Sequence, residues 1–218
     1  MASKVLALDI DGVLIRDKLL LEHVRENCAA YVQKKVPECK NPRETNRILY
    51  LAKGHTAKGL RENFSIDTRD FNKHVYDSSL LDHLGSVINT ADFRQDASEI
   101  LSLAKSGWDV NLFTNAPIEW AGPVADAIGP SVTVQCPSDD FEIYKPDVRA
   151  YQWLPDKSAC LYVDDSIKNL STVRWLPSWQ PVHFTEGPRD HKPLFPTIGT
   201  IWELGLMVNS IDHLISRK

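Results

Sequence analysis

The stretch VLALDIDGVL, residues 5–14, decides the fold of this chain. Its apolar run ends in two carboxylates, Asp9 and Asp11, and Gly12 follows, a pattern typical of a buried parallel strand that ends in a turn. Since residues i and i+2 of a strand lie on one side, both carboxylates should project beyond its carboxyl end. They would repel each other there, and a bound cation would remove that cost. A turn cap at Asp9 beside a solvated Asp11 explains the pair alone equally well.

The composition is that of an ordinary globular chain. Of its 218 residues, 43% are hydrophobic, and the formal net charge is −4. The Lys and Arg residues form no block of the kind that binds nucleic acid, so we expect a small substrate and no nucleic-acid partner. Charges interrupt the first twenty residues, so we expect neither a signal peptide nor a membrane span. Four cysteines without CxxC spacing favour a reduced, cytoplasmic protein. We expect a monomer or a homodimer.

Helices and strands alternate along the chain, with one exception after the first strand. We call residues 17–90 the helical insert. The sequence pattern there predicts helices and no strand, with the helices at 19–35, 42–52, 56–63, 68–76 and 78–84. Further strands are predicted at 110–115, 132–136, 159–163 and 181–184. The helices between and after them are predicted at 93–106, from Pro117, at 146–154, from Ile167 and at 198–216. We therefore predict an α/β fold with a doubly wound parallel sheet, its core formed by residues 1–16 and 91–218.

Polar residues occur where the predicted strands end or the adjoining helices begin. In chain order they are Asp9 and Asp11, Thr114 and Asn115, Lys145, and Asp164 and Asp165. Each has a structural explanation when taken alone, as a strand threonine, a surface lysine or a solvated helix entry. Parallel strands bring their carboxyl ends to one edge of the sheet. Their joint occurrence therefore favours a single functional site.

Four motifs make the chain resemble the haloacid dehalogenase-like superfamily of aspartate-nucleophile phosphatases. They are DIDGVL at 9–14, LFTN at 112–115, YKPD at 144–147 and VDDS at 163–166. Their order and spacing match the family over nearly the whole chain. The resemblance implies a Rossmann-like core with a mobile cap, and the helical insert looks like the small α-helical, C1-type cap of that family.

The resemblance also implies a role for each polar residue. Asp9 would attack phosphorus to form an aspartyl-phosphate, and Asp11 would act as general acid and then general base. A Mg²⁺ ion would be held by Asp9, the backbone carbonyl of Asp11, Asp164 and, directly or through water, Asp165. The phosphate oxygens would be bound by Lys145, Thr114 and the backbone of Asn115.

The helical insert should select the substrate, because the core groups bind only phosphate and metal. GHTAKGL, residues 54–60, resembles a segment of the pyrimidine 5′-nucleotidase-like branch, and FNKHVY, residues 71–76, resembles a helix of that branch. Gly12 departs from the asparagine usual there. Candidate substrate contacts are Lys53, His55 and Lys58. Packing inside the insert is an equally good explanation for its apolar residues, namely Leu60, Phe71, Val75 and Tyr76.

We therefore expect a Mg²⁺-dependent phosphomonoesterase acting on a small phosphorylated metabolite, with a pyrimidine nucleoside monophosphate as the narrower hypothesis. A sugar-phosphate mutase of the β-phosphoglucomutase type and a non-catalytic regulatory or binding protein of the same fold remain as alternatives. A dehalogenase is disfavoured, because halide departure needs no general acid and that branch lacks an aspartate at the position of Asp11. The tryptophans are predicted to pack in the core and between helices and not to form a base-stacking platform, and Trp202 to pack on the sheet or face a partner; they are Trp108, Trp120, Trp153, Trp175, Trp179 and Trp202.

Overall fold

The computed structural model describes residues 4–154, 159–188 and 190–215. Over these residues the chain forms a six-stranded parallel sheet in the order β3-β2-β1-β4-β5-β6. The strands are β1 (Lys4–Leu8), β2 (Asp109–Phe113), β3 (Val132–Gln135), β4 (Ala159–Asp164), β5 (Trp179–Phe184) and β6 (Thr197–Ile198). The predicted α/β fold with a parallel, Rossmann-like sheet is confirmed.

Helices cover the sheet and fill the connection after its first strand. The helical insert contains α1 (Lys18–Lys35), α2 (Pro42–Lys53), α3 (Thr56–Phe64), α4 (Thr68–Val75) and α5 (Ser78–Ile88). The remaining helices are α6 (Ala91–Lys105), α7 (Ile118–Ile128), α8 (Pro137–Phe141), a 3₁₀ helix (Val148–Trp153), α9 (Ile167–Val173) and α10 (Ile201–Ile215). None of the helices in the described part of the chain combines the length and apolar character needed to cross a bilayer.

Strand β1 lies at the centre of the sheet, and its residues 5–8 are fully buried. Leu8 is paired with Leu112 of β2 on one side and with Val163 of β4 on the other. The continuous apolar run predicted a strand that is buried on both faces. This strand is buried on both faces and is paired with another strand on each side. This register also aligns the carboxyl ends of β1, β2 and β4 at one edge of the sheet.

The helical insert is built from short capped helices whose apolar sides face the core. The side chains of Asp17, Asn41, Asp67 and Asp77 accept hydrogen bonds from backbone N–H groups at the starts of α1, α2, α4 and α5. Such caps satisfy donors that a helix cannot satisfy internally. The buried residues of the insert, including Leu60, Phe71, Val75 and Tyr76, belong to the same hydrophobic cluster as β1. Packing thus holds the insert directly over the strand ends.

Several local predictions were wrong, each for an identifiable reason. The helix predicted at 146–154 is a 3₁₀ helix that begins later, because the Asp147 carboxylate accepts from the Arg149 N–H and caps it. Strand β6 was missed, since two residues give no periodicity, and α8 lies in a stretch predicted as a loop. The last helix begins at Ile201, and its predicted end at residue 216 lies outside the described residues. Trp175 and Trp202 are 79% and 55% exposed, so not every tryptophan packs in the core.

Candidate active site

Three carboxylates meet at the carboxyl edge of the sheet. Asp9 directly follows β1, and its N–H donates to Val163 O at 2.9 Å, which continues the ladder with β4. Asp164 ends β4 and Asp165 follows it. One oxygen from each of Asp9, Asp164 and Asp165 lies within 4.8 Å of the others. Asp9 and Asp164 are buried and Asp165 is exposed, so this cluster, which we call the carboxylate cluster, opens to solvent on one side.

Lys145 supplies a positive charge against this cluster. Its ammonium lies 2.9 Å from Asp9 Oδ1 and 3.0 Å from Asp164 Oδ2, and it donates to Phe113 O at 2.8 Å. The side chain is 1% exposed, although a lysine is normally a surface residue. Burial alone would lower the pKa of Lys145, but the carboxylates of Asp164 and Asp9 outweigh it and hold the pKa above its ordinary value. The two carboxylates therefore favour the charged form of Lys145.

The charge balance of the site remains negative, since one ammonium faces three carboxylates. Burial raises the pKa of Asp9 well above its ordinary value, although Lys145 acts in the opposite direction. Desolvation and the adjacent Asp164 raise the pKa of Asp165 to about 7. Uncompensated carboxylates in a desolvated site are costly unless a cation joins them. Their oxygens are the ligand type that Mg²⁺ prefers.

Asp164 is fixed by neighbours that the sequence argument missed. Tyr162 donates its hydroxyl to Asp164 Oδ2, the Ser166 N–H donates to Oδ1 at 2.7 Å, and Asn169 Nδ2 donates to Oδ2 at 3.0 Å. Tyr162 is two residues before Asp164, so the side-chain alternation of a strand could have predicted this contact. Asn169 has no such signal, because its position depends on how α9 packs.

Asp11 lies apart from the carboxylate cluster. Its Oδ1 accepts a hydrogen bond of 3.0 Å from Nε1 of Trp120, in the first turn of α7. Burial raises the pKa of Asp11 to about 6, although this hydrogen bond acts to lower it. Gly12 follows with φ of +82°, and a Cβ there would lie 2.2 Å from Asp165 Oδ2. Glycine thus allows both the turn and the close approach of Asp165, which explains Gly12 at the position where the similar branch has asparagine.

The predicted phosphate-binding residues lie beside Lys145. Asn115 exchanges two hydrogen bonds with the backbone of Lys145, donating to its carbonyl at 3.0 Å and accepting from its N–H at 2.7 Å. Its side chain thereby fixes the position of Lys145. The buried Thr114 hydroxyl accepts from the Ala116 N–H at 3.0 Å. Binding of phosphate by Thr114, Asn115 and Lys145 stays a prediction.

The helical insert reaches the site through the end of α2. Gly54, with φ of +81°, lies so close to the core that a Cβ would be 2.9 Å from Lys145 O. From the core, Nζ of Lys168 donates a hydrogen bond of 3.3 Å to Leu51 O in α2. Tyr50 lies one turn before Gly54 and is about half exposed. Desolvation and the carboxylates of Asp165 and Asp9 raise the pKa of Tyr50, a side chain absent from the predicted set, to about 12.

The three substrate contacts predicted in the insert have different surroundings. Lys53 and Lys58 line an open cleft of about 360 Å³ together with Lys168, and Lys53 pairs with Glu62 at 2.7 Å. His55 instead stacks on Tyr144, with ring centroids 4.7 Å apart, and accepts from the Ala57 N–H as the cap of α3. Burial lowers the pKa of His55 to about 4. Lys53 and Lys58 are thus accessible to a ligand, whereas the ring of His55 is used in packing.

A short stretch between β3 and the 3₁₀ helix joins the insert to the core; we call it the 136–147 segment. Asn72 of the insert donates to Asp139 Oδ1 at 3.1 Å, and Arg61 pairs with Glu142. Asp139 also accepts from the Ile118 N–H at 2.6 Å, at the start of α7. Lys145 belongs to the same segment. The segment that carries the positive charge of the site is therefore also the one that Asn72 and Arg61 of the insert contact.

Comparison with known proteins places this geometry in a family. The family model described as haloacid dehalogenase-like hydrolase matches residues 3–175. No curated protein sequence matches the chain significantly.

Solved structures share the fold at low sequence identity. A HAD phosphatase from Thermococcus onnurineus is similar with a TM-score of 0.61 and 18% identity, over 94% of this chain and 97% of that one. A hydrolase from Pseudomonas syringae has a TM-score of 0.61 and 14% identity, over 97% and 99%. An L-2-haloacid dehalogenase from Xanthobacter autotrophicus, solved with chloropropionic acid covalently bound, has a TM-score of 0.54 and 12% identity, over 96% and 99%. At these identities the likeness shows the fold alone.

Proposed function

The chain belongs to the haloacid dehalogenase-like hydrolases, and from its site we propose that it hydrolyses the phosphomonoester of a small metabolite with the help of Mg²⁺. One observation carries the proposal: a cluster of three carboxylates stands beside a separate carboxyl group, Asp11, with its own hydrogen-bond donor. The cluster suits a cation and a phosphate, and the separate carboxyl suits proton transfer to an alcohol.

The residues present fit a Mg²⁺ ion. Asp9, Asp164 and Asp165 would hold it, and we propose the backbone carbonyl of Asp11 as a further ligand. The raised pKa values of Asp9 and Asp165 support the proposal, because burial and the neighbouring carboxylates disfavour their ionised forms and a bound cation would favour them. When bound, the ion neutralises charge so that a carboxylate can approach a phosphate dianion.

In the first step, a carboxylate oxygen of Asp9 attacks phosphorus. Asp9 Oδ1 accepts from the Ile10 N–H at 2.8 Å and faces Lys145, whereas no described residue donates to Oδ2. One oxygen is therefore oriented and the other is free to bond. As the new P–O bond forms, the bond from phosphorus to the leaving oxygen breaks, and Asp11 donates a proton to that oxygen. Lys145 stabilises the negative charge on the transferring group.

In the second step, water hydrolyses the aspartyl-phosphate. Asp11, now ionised, removes a proton from the water, whose oxygen attacks phosphorus and releases Asp9 and inorganic phosphate. A pKa of about 6 lets Asp11 serve in both directions near neutral pH, because neither form is rare there. Acceleration of phosphate-monoester hydrolysis reaches about 10²¹-fold in enzymes, so in-line attack, charge neutralisation and proton transfer are needed together.

We propose that the helical insert, residues 17–90, acts as a cap that selects the leaving group over the core of residues 1–16 and 91–218. Lys53 and Lys58, which line an open cleft together with Lys168 of the core, support this proposal. A pyrimidine nucleoside monophosphate is the narrower substrate hypothesis, because residues 54–60 and 71–76 of the insert resemble segments of the pyrimidine 5′-nucleotidase-like branch.

A dehalogenase is the second candidate, because the family whose model matches residues 3–175 is described as haloacid dehalogenase-like hydrolase. Asp11 favours the phosphatase. A halide leaves without a proton, so a dehalogenase has no use for a carboxyl group fixed by its own donor. Chloride release from a 2-chloroacid, measured beside phosphate release, separates the two.

The decisive experiment measures phosphate release from pyrimidine and purine monophosphates, sugar phosphates, phosphoglycolate and an aryl phosphate, with Mg²⁺ and with EDTA. We expect release that requires Mg²⁺. Asp9→Asn should reduce it to below about a percent, since an amide is not a nucleophile. Asp126→Asn, an exposed aspartate of α7, is the matched control and should retain full activity.

Three outcomes would contradict parts of this proposal. Asp9→Asn activity above a few percent would refute the nucleophile assignment. Release that EDTA does not affect would refute the metal. An isomeric sugar phosphate formed from a sugar phosphate without free phosphate would indicate the mutase instead.

A further inference from the structure

We propose that Trp120 is a positioning residue that orients the Asp11 carboxyl for proton transfer. This inference rests on the proposed function and assigns part of its mechanism to a side chain outside the four motifs. The Nε1 atom of Trp120 lies 3.0 Å from Asp11 Oδ1, and the indole is 0% exposed. No other described residue forms a hydrogen bond to the Asp11 side chain.

The indole N–H of Trp120 is a hydrogen-bond donor and not an acceptor, which limits the role that it can have beside Asp11. It donates only, so the indole nitrogen can neither accept the travelling proton nor ligate a metal ion. By holding Oδ1 it leaves Oδ2 of Asp11 to exchange a proton with the leaving oxygen and later with water. It therefore acts through Asp11 and does not touch the reacting atoms.

Asp11 needs such a partner because the sheet does not hold it. It lies beyond the end of β1, directly before Gly12, and its only described β contact is an isolated bridge to Ile15. Asp164, by contrast, receives hydrogen bonds from Tyr162 and Asn169. Fixing one rotamer of a carboxyl in advance removes an ordering cost from the reaction.

The helical insert holds the indole from its other side. Tyr76, at the end of α4, packs edge-on against Trp120 with ring centroids 5.5 Å apart and planes at 61°. Tyr76 is itself buried. Trp120 is thus clamped between its own helix and the insert, so its N–H points in a fixed direction.

The test compares Trp120→Phe with Trp108→Phe. Phenylalanine keeps an aromatic ring and removes the N–H. Trp108 is also buried, but among the described residues its Nε1 has no hydrogen-bond partner, so it is a matched control. Each variant is assayed for kcat/KM on an alkyl phosphate, whose alkoxide needs a proton, and on nitrophenyl phosphate, whose leaving group does not.

We expect Trp120→Phe to lower kcat/KM for the alkyl phosphate by about 10- to 100-fold, the range for loss of a hydrogen bond to a charged group. For nitrophenyl phosphate we expect a change below about threefold. Trp120→His, which restores a ring N–H, should recover part of the alkyl activity. In the Asp11→Asn background, Trp120→Phe should cost nothing further, because coupled residues are not additive.

Equal losses on both substrates, or losses that add to those of Asp11→Asn, would reduce Trp120 to a packing residue and overturn the inference. If Trp120→Phe does not fold, NMR spectra of the wild type and of Asp11→Ala replace it. One indole N–H resonance should change its chemical shift between the two proteins, and identical indole resonances would refute the contact. A wild type that releases phosphate while Trp120→Phe behaves like Trp108→Phe overturns this inference alone. A wild type that releases no phosphate overturns the proposed function, and this inference with it.

Discussion

Replacing Lys145 by methionine tests the electrostatic account of the site without any assumption about substrate. Methionine has a similar length and fills the space between Phe113 and Tyr162, whose ring centroids lie 5.2 and 5.8 Å from the ammonium. It removes the positive charge that faces Asp9 and Asp164. The variant therefore leaves a buried group of carboxylates with no described cation in contact.

The magnitude follows from the contacts that are lost. The ammonium forms two ion pairs of 2.9 and 3.0 Å and one hydrogen bond of 2.8 Å while 1% exposed. Removing one partner of a buried ion pair costs about 3–5 kcal/mol. For a chain of this size each kcal/mol corresponds to about 2–4 °C in Tm. We therefore expect Tm to fall by about 6–20 °C at pH 8.

The pH dependence has a definite sign. The pKa of Asp9 is already raised, and loss of Lys145 raises it further, so the folded variant binds a proton more readily than the unfolded chain does. The stability deficit should therefore be largest at pH 8 and shrink towards pH 5. Added Mg²⁺ should raise the Tm of the variant more than that of the wild type, because it replaces the missing charge.

Urea and thermal unfolding, followed by circular dichroism from pH 5 to pH 8, measure these effects. Lys53→Met is the control, since Lys53 has a half-exposed ion pair with Glu62 and should cost less than about 1 kcal/mol. A Lys145→Met deficit as small as that of the control, or one that does not change with pH, would refute the charge balance described here.

Three further predictions concern the turns and the insert. Gly12→Ala should cost about 1–3 kcal/mol in urea unfolding and lower the affinity for Mg²⁺ in titration, because its Cβ would collide with Asp165; normal Mg²⁺ binding would contradict this. Gly54→Ala should cost a similar amount and speed proteolysis of the insert, because its Cβ would lie 2.8 Å from Pro146. Gly85→Ala is the control, since open space surrounds Gly85, and it should leave the rate of proteolysis unchanged. The contribution of His55 to stability, measured as the difference in urea stability between the wild type and His55→Asn, should fall by about 3 kcal/mol between pH 6.5 and pH 4, because the pKa of His55 drops from 6.5 to about 4 on folding. His55→Asn keeps a cap for α3 and should remove that slope in urea titrations.

The parallel sheet and the meeting of the polar strand ends were predictable from sequence. The run at residues 5–8 is apolar without alternation, as central strands are, and β1 occupies the centre of the sheet. Asp9, Lys145 and Asp164 come into contact because parallel strands end at one edge. These are consequences of local pattern and topology, which one sequence contains.

The remaining parts of the site depend on packing angles, which local pattern does not encode. Trp120 was predicted as a core residue and is buried, but its hydrogen bond to Asp11 depends on how α7 lies against the end of β1. The end of α2 meets the core where Gly54 comes close to Lys145 and Pro146. The stacking of His55 on Tyr144 likewise joins residues that are distant in sequence.

The 136–147 segment has a consequence for how such proteins can be recombined. Arg61 and Asn72 of the helical insert find their partners in Glu142 and Asp139, which lie far along the chain in the core. A chimaera that transplanted residues 17–90 alone into a related scaffold would leave Arg61 and Asn72 without these partners. It would also lose the close contact of Gly54 with Lys145 and Pro146. The transferable module is therefore discontinuous: the insert and the 136–147 segment must travel together for a graft to carry a new selectivity.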